Sequence, residues 1–439
     1  MSTAIHVIGA GLAGCEAAWQ LAQRGIRVLL HEMKPQKKTP AHKSDSFAEL
    51  VCSNSLRADR IWSAAGLLKE EMRQLGSLVI WSADKTRVPA GGALAVNRDD
   101  FSAYITEAVQ THPEIEIVHG EAGSLDALCG QTVIVASGPL TSEKLAGEIA
   151  KLTGEEYLHF YDAAAPIVTA ESVDMECAFM GARYGRGGDD YINCPMTKEE
   201  YDAFYGALIN AECAEIRGFE QGMVFEGCMP VESMAQRGEK TLLFGPLKPK
   251  GLTDPKTGRM PYAVVQLRKE NREGSLLNLV GFQTHLKFPE QKRVFSMIPA
   301  LRDAEFVRYG VMHKNTFLNA PKLLDMYYRL RGRESIRFAG QITGVEGYVE
   351  SAASGLVCGL CAANEARGKP LPVFTSRTAL GALSLHVSGA ETKDYQPMNI
   401  NFGIIEEAGQ RIRGKEAKNT FIAERALDEV KRLKQEYFE

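Results

Sequence analysis

Residues 4–33, AIHVIGAGLAGCEAAWQLAQRGIRVLLHEM, decide the fold. Ile5, Val7 and Ile8 make a short apolar run suited to a buried strand. Leu12, Ala17, Ala18 and Leu21 then recur on one face of a helix, Gly25 supplies its stop, and Ile26 to Leu30 form a second strand. Between first strand and helix, Gly9, Gly11 and Gly14 are spaced G-x-G-x-x-G. The first glycine permits a tight turn, the second lets backbone approach a pyrophosphate, and the third lets helix pack on strand. The unpaired N–H groups at the helix start carry about half a positive charge and face the phosphates. Glu32, at the end of the second strand, suits ribose hydroxyls and disfavours a 2′-phosphate. Gly9, Ala10, Gly11, Leu12, Ala13, Gly14 and Glu32 are therefore the expected dinucleotide contacts. The plainer alternative is a glycine turn that only packs a helix.

The choice between FAD and NAD comes from the far end of the chain. FAGQITGVEGYVESAASG (338–355) has the form of a strand, a glycine-bearing loop and a helix start. Such a loop brings a helix N-terminus to a flavin, where its dipole stabilises the anionic reduced ring. Gly340, Gln341, Gly344 and Tyr348 are the expected second set of contacts, and FAD the expected cofactor. A small-residue helix packed closely in the core is the competing reading. EIEIVHG (114–120) and TVIVASGP (132–139) read as further strands. From about Met175 the texture turns glycine-rich, and Thr197 with Glu200 marks a capping box opening a helix. The fold expected is α/β: a discontinuous Rossmann-type FAD-binding domain (1–174 and 296–439, ending in a charged helical tail) with an inserted α+β domain over 175–295.

Composition narrows the class. In 439 residues, a hydrophobic fraction of 45% and a charged fraction of 24% are ordinary for a soluble enzyme, and a formal charge of −4 argues against a generic nucleic-acid coat. The N-terminus reads as a strand rather than a leader, and no apolar run approaches the ~20 residues that span a bilayer. A cytoplasmic protein is expected, without membrane contact and with its nine cysteines mostly reduced. The oligomeric state is not readable.

Several stretches taken together resemble one family. They are VIGAGLAGCEAAWQLAQRGIRVLLHEMKP (7–35), TPAHKSDSFAELVCSNSLRAD (39–59), GLLKEEMR (66–73), PAGGALAVNRDDFS (89–102), FEGCMPVE (225–232), HKNTFLNAP (313–321) and the 338–355 segment. Their combination resembles the folate- and FAD-dependent tRNA (uracil-5-)-methyltransferases over nearly the whole chain. The resemblance implies a methyltransferase that takes a one-carbon unit from 5,10-methylenetetrahydrofolate and places it on C5 of a T-loop uridine in tRNA. It implies FAD with NAD(P)H as reductant, a methylene adduct on the flavin, and a cysteine nucleophile. One departure is Lys314, where the family pattern has arginine; it keeps the charge and loses a planar bidentate donor. A ribosomal-RNA uridine methyltransferase, a plain FAD-dependent NAD(P)H oxidoreductase and a flavin-binding RNA-interaction protein are the alternatives.

The chemistry calls for thiols. Uracil C5 is a poor nucleophile until a thiolate adds at C6. A free thiol titrates near ~8.5, so a reactive one needs cationic or N–H neighbours contributing about 2 kcal/mol; Arg57 is the nearest cation in sequence to Cys52. The resemblance implies that both Cys52 and Cys228 are functional, one as nucleophile or guard of the flavin adduct and the other as the acid or base at C5. The Gly-Cys-Met-Pro turn favours Cys228 as nucleophile, with the reverse assignment left open; Glu226 is a candidate base or a surface carboxylate. Read alone, Cys52 is a small core residue. Cys358 and Cys361 form C-x-x-C without a partner pair at zinc spacing, so core packing is expected and no metal. His285, and Tyr348 beside it in role, are aromatic faces for folate stacking or else packed rings. Basic runs at 247–259, 267–272, 287–293 and 411–418 are candidate RNA faces or simply solvated ones; a folded target loop would have to release its uridine into the site.

Overall fold

The structure is a computed structural model that describes residues 4–39, 41–122, 124–125, 128, 130–154, 158–185, 188–214, 229–389 and 395–439. The opening stretch folds as read: β1 (Ile5–Ile8), α1 (Leu12–Ala22) and β2 (Val28–Glu32). β1 is buried along its length, because it lies mid-sheet with both faces covered. It pairs in parallel with β2, Ile5 opposite Val28, and with Val133–Val135, His6 opposite Val133. Ile115–His119 adds beyond β2, and Arg333–Phe338 adds in parallel beside Val133–Val135, with Ile336 opposite Val133. A strand from the last third of the chain thus completes the sheet begun by the first residues, which is the discontinuous Rossmann-type arrangement expected. Its cleft lies where such sheets bind ligands, outside the carboxyl ends of the strands.

Helix Tyr348–Ala366 packs directly on α1. A Cβ at Gly355 would lie 2.2 Å from the Ala13 carbonyl oxygen, and one at Gly359 2.8 Å from that of Ala17. The small residues of this helix therefore serve both readings offered above: they permit close backbone packing, and that packing delivers the helix start to the cleft.

A second six-stranded sheet is antiparallel throughout, in the order Phe179–Met180, Tyr191–Met196, Ala263–Lys269, Leu276–Leu279, Ile167–Thr169, Phe306–Arg308. Its last two strands fall outside the 175–295 limits expected for the insertion, since three-residue strands carry no readable alternation. Helix Lys198–Ile209 covers it and opens with the expected box: the Thr197 hydroxyl accepts the Glu200 N–H at 3.2 Å, and the Glu200 carboxylate accepts the Thr197 N–H at 2.7 Å. The tail forms helix Lys415–Tyr437, whose Ile422, Ala423, Ala426 and Val430 are buried. Among the described residues no helix is long and apolar enough to cross a membrane.

Candidate active site

The glycine turn separates packing from ligand space residue by residue. Gly9 has φ +101°, and a Cβ there would lie 2.6 Å from the Ala136 carbonyl oxygen; one at Gly14 would lie 1.8 Å from that of Gly9. A Cβ at Gly11 would meet nothing within 4 Å. It would enter a cleft bordered by Gly9 to Ala13, Glu32, Gly340, Gln341 and Tyr348. Glu32 fastens the turn, accepting the Ala10 N–H at 2.8 Å and the Lys34 N–H at 2.9 Å. Each of its carboxylate oxygens keeps a further lone pair for a ribose hydroxyl. A cradle of backbone, an open Gly11 and an acidic strand end together fit a dinucleotide.

Two expected contacts stand elsewhere. Gly14 packs α1 on the turn, and Gly344 (φ +82°) makes room for Tyr395, whose ring a Cβ would meet at 2.5 Å; neither borders the cleft. Sequence reading missed His31, Lys34 and His42, which do border it, as does the Ser137–Thr141 loop after strand Val133–Val135. The run TVIVASGP held that last signal.

Cys52 is half-buried, and its neighbour Val51 and its hydrogen-bond partner Tyr348 both border this cleft; the loop around it is held at each residue. The Tyr348 hydroxyl accepts the N–H groups of Cys52 (2.7 Å) and Ser53 (3.2 Å), while the Cys52 thiol points to the Ala163 carbonyl at 3.5 Å. Arg98 donates to the Leu50 carbonyl and Arg308 to that of Val51. Arg268 donates to the Ser53 hydroxyl (2.9 Å) and to Asn54 Oδ1 (3.0 Å). Burial opposes the charge on Arg98, and Glu270, at 2.9 Å, more than restores it. Burial also pushes the Tyr348 phenol up, with the neighbouring Cys52 adding to it, so the ring stays protonated at neutral pH. Arg57 does not serve this loop: it pairs with the buried Glu350 at 2.7 Å. The run LRKENR divides likewise, Arg268 being buried beneath Cys52 and Arg272 exposed.

Cys228 and Glu226 lie outside the described residues, as does the Lys314 side chain. His285 is buried rather than open, its Nδ1 2.6 Å from Glu232. Glu232 also accepts the Thr284 hydroxyl (2.8 Å) and the His285 N–H (2.9 Å). Cys213 completes a cluster whose ligand-type atoms lie within 4.8 Å of one another. Thr284, next to His285, donates its N–H to Ala164 at 3.3 Å, which brings this segment alongside the carbonyl facing Cys52. Cys358 and Cys361 are fully buried in the helix packed on α1, and burial pushes both thiols up, Cys361 to about 12.

A family model described as "Glucose inhibited division protein A" (GIDA) matches residues 4–370. "Methylenetetrahydrofolate--tRNA-(uracil-5-)-methyltransferase TrmFO" of Acetivibrio thermocellus is 59% identical over 433 residues, 99% of each chain. The protein of the same name from Listeria monocytogenes serotype 4b is 57% identical over 436 residues, 99% of this chain and all of that one. That of Desulforamulus reducens is 60% identical over 97% of this chain and 96% of its own. Among solved structures, Aquifex aeolicus GidA superposes with a TM-score of 0.70 at 15% identity, covering 98% of this chain and 74% of that one. That likeness is one of fold.

Proposed function

The chain belongs to the TrmFO branch of the GidA family, and from that premise we propose that it methylates C5 of a T-loop uridine in tRNA. The one-carbon donor is 5,10-methylenetetrahydrofolate, the reductant NAD(P)H, and the compartment the cytoplasm. The observation that carries this reading is the seat of Cys52: its backbone N–H rests on the Tyr348 hydroxyl, and Tyr348 borders the dinucleotide cleft. That tether supports a thiol acting next to the flavin end of the cofactor.

Gly9 to Ala13 and Glu32 would hold the pyrophosphate and ribose of FAD, and Gly340, Gln341 and Tyr348 the flavin end. FAD, when bound, supplies the redox chemistry that turns a methylene into a methyl group. The chain's own work is on the uracil. A cysteine sulfur adds to C6, and the electron pair of the C5–C6 bond becomes available at C5. After C5 has bonded to the donated carbon, a second group takes the C5 proton and the C6–S bond breaks. Cys52 and Cys228 share these two roles. The Cys52 loop cannot swing without breaking bonds to Arg98, Arg268, Arg308 and Tyr348, so its thiol is pre-positioned. His285, buried and held by Glu232, follows Thr284, whose N–H bonds the Ala164 carbonyl; as a pterin contact it would have to expose its ring on binding.

The test supplies purified protein with an unmodified tRNA transcript, labelled methylenetetrahydrofolate and NAD(P)H. Label in 5-methyluridine is the expected result. Reductant consumption without labelled RNA would leave a plain oxidoreductase; label in ribosomal RNA alone would move the substrate.

A further inference from the structure

We propose that Phe288 is a stacking platform for a base of the RNA substrate lying next to the target uridine; this rests on the RNA-methylating reading above. Three rings form a near-parallel column: Phe306 on Tyr309 (centroids 5.5 Å apart, 7° between planes) and Tyr309 on Phe288 (4.8 Å, 14°). The column is rooted in the second core, since Phe306 leans on Phe295 (6.4 Å) and Phe295 meets buried Phe282 edge-on (5.3 Å). Its outer end is open: Phe288, the first residue of helix Phe288–Phe295, is 50% exposed. Unlike a lone exposed side chain such as Phe244, this ring is held half in water by a stack rooted in the core. One more flat ring would continue it.

The column stands at the mouth of the Cys52 site. Tyr309 is flanked by Arg308, which donates to the Val51 carbonyl, and by Gly310, where a Cβ would lie 2.6 Å from the Ala164 carbonyl oxygen. Val51 and Ala164 adjoin Cys52 and the Ala163 carbonyl that its thiol faces. A uridine turned into the site would leave its neighbour at this rim. The electrostatics suit a polyanion: Lys287, Lys292 and Arg293 are exposed around Phe288. Two carboxylates offset part of that charge, Glu212 on Lys287 and Glu290 on Arg293, each at 2.6 Å. Aromatic faces with interleaved cations are how proteins hold unpaired bases, each stacked base contributing ~1–3 kcal/mol.

The experiment uses full-length holoenzyme, a labelled tRNA transcript and anisotropy at several salt concentrations. Wild-type methylation is measured first, and failure there overturns the parent reading together with this one. Given an active wild type, Phe288→Ala should weaken RNA binding roughly 10-fold. The slope of log Kd against log salt should stay as it was, because no phosphate contact is lost. Phe288→Trp should bind as wild type does, whereas Phe288→Leu, which keeps apolar bulk without a wide π face, should not. Lys292→Ala should instead flatten the salt slope by about one phosphate contact. NAD(P)H oxidation by bound FAD should be equal in all four variants. The proposal is overturned if Phe288→Ala binds and methylates like wild type, or if leucine restores binding as well as tryptophan.

Discussion

Cys52 and the Cys358–Cys361 pair are thiols associated with one helix, Tyr348–Ala366: Cys52 lies in a loop, its backbone N–H bonded to Tyr348 at the helix start, and the pair lies within the helix. By motif the pair looks the more reactive, as C-x-x-C, and Cys52 the less. Environment reverses that order. Cys358 and Cys361 have no solvent, and burial pushes their thiols out of the range where a nucleophile works. Cys52 is half-buried, its backbone fixed by Tyr348 and by three arginines drawn from both sheets' surroundings. On the function proposed above, reactivity follows from what surrounds the sulfur rather than from the spacing of sulfurs.

The strongest way to break that contrast is to exchange the two. Cys52→Ala should lower methylation by about 10²-fold or more, as loss of a nucleophile or proton acceptor does. Its stability should stay within about 0.5 kcal/mol of wild type, because the side chain makes one long contact, to Ala163. Cys361→Ser should do the reverse, costing about 1–3 kcal/mol by burying a hydroxyl while leaving turnover alone. Steady-state kinetics and denaturant melts on both proteins decide it; equal loss of turnover in the two would erase the distinction.

The glycine turn repeats the contrast between packing and chemistry at one remove. Gly14→Ala places a methyl 1.8 Å from the Gly9 carbonyl oxygen and should lower apoprotein stability by about 1–3 kcal/mol. Gly11→Ala meets nothing, so the apoprotein should melt unchanged while FAD, read by flavin absorbance after gel filtration, is lost. A stable, fully flavinylated Gly11→Ala protein would mean the cofactor's phosphates lie elsewhere.

A smaller effect should come from the tether itself. Tyr348→Phe leaves the Cys52 and Ser53 N–H groups without their acceptor, a cost of about 1–2 kcal/mol. Turnover should fall roughly 10-fold with FAD retained, as the loop loosens around the thiol. Unaltered turnover would show that the arginines alone position Cys52.

What could be read in advance followed from locality. Gly9, Gly11 and Gly14 act through backbone geometry within a few residues, so the turn, α1 and β2 were legible, as was the capping box at Thr197. The 338–355 segment was legible for the same reason, except Gly344, whose partner Tyr395 is far along the chain. Cys52 was singled out only through the family pattern, since a free cysteine read alone is most often a buried core residue, here with polar neighbours. The arginines around it were not legible: Arg268 and Arg308 come from strands of the second sheet and Arg98 from the start of helix Arg98–Gln110, and no spacing in the sequence records that all three bond to residues 50–54. Arg57, the near neighbour in sequence, is instead spent on Glu350. The edge strands Ile167–Thr169 and Phe306–Arg308 escaped notice because three residues cannot display a period.

Cys213 offers the finest test, because it lies between the two extremes, neither tethered like Cys52 nor sealed like Cys361, and in contact with His285. Burial works against charge on that imidazole, but hydrogen bonds to Cys213 and Glu232 and the Glu232 charge outweigh it, raising His285 to about 9 from 6.5. A pKa raised on folding means that the folded state binds the proton more tightly. The resulting stability is fully present below about 6.5 and is lost as pH rises through about 9. The decline over that window should be about 1–3 kcal/mol. Lys69 and Glu71, both buried and both brought to about 8, also titrate in this window, so the decline is read as the difference between wild-type and Glu232→Gln urea melts at each pH, with Cys213→Ala removing a smaller part. If that difference is flat across the window, His285 is neutral in the folded protein, and the cluster belongs with the inert thiols rather than beside Cys52.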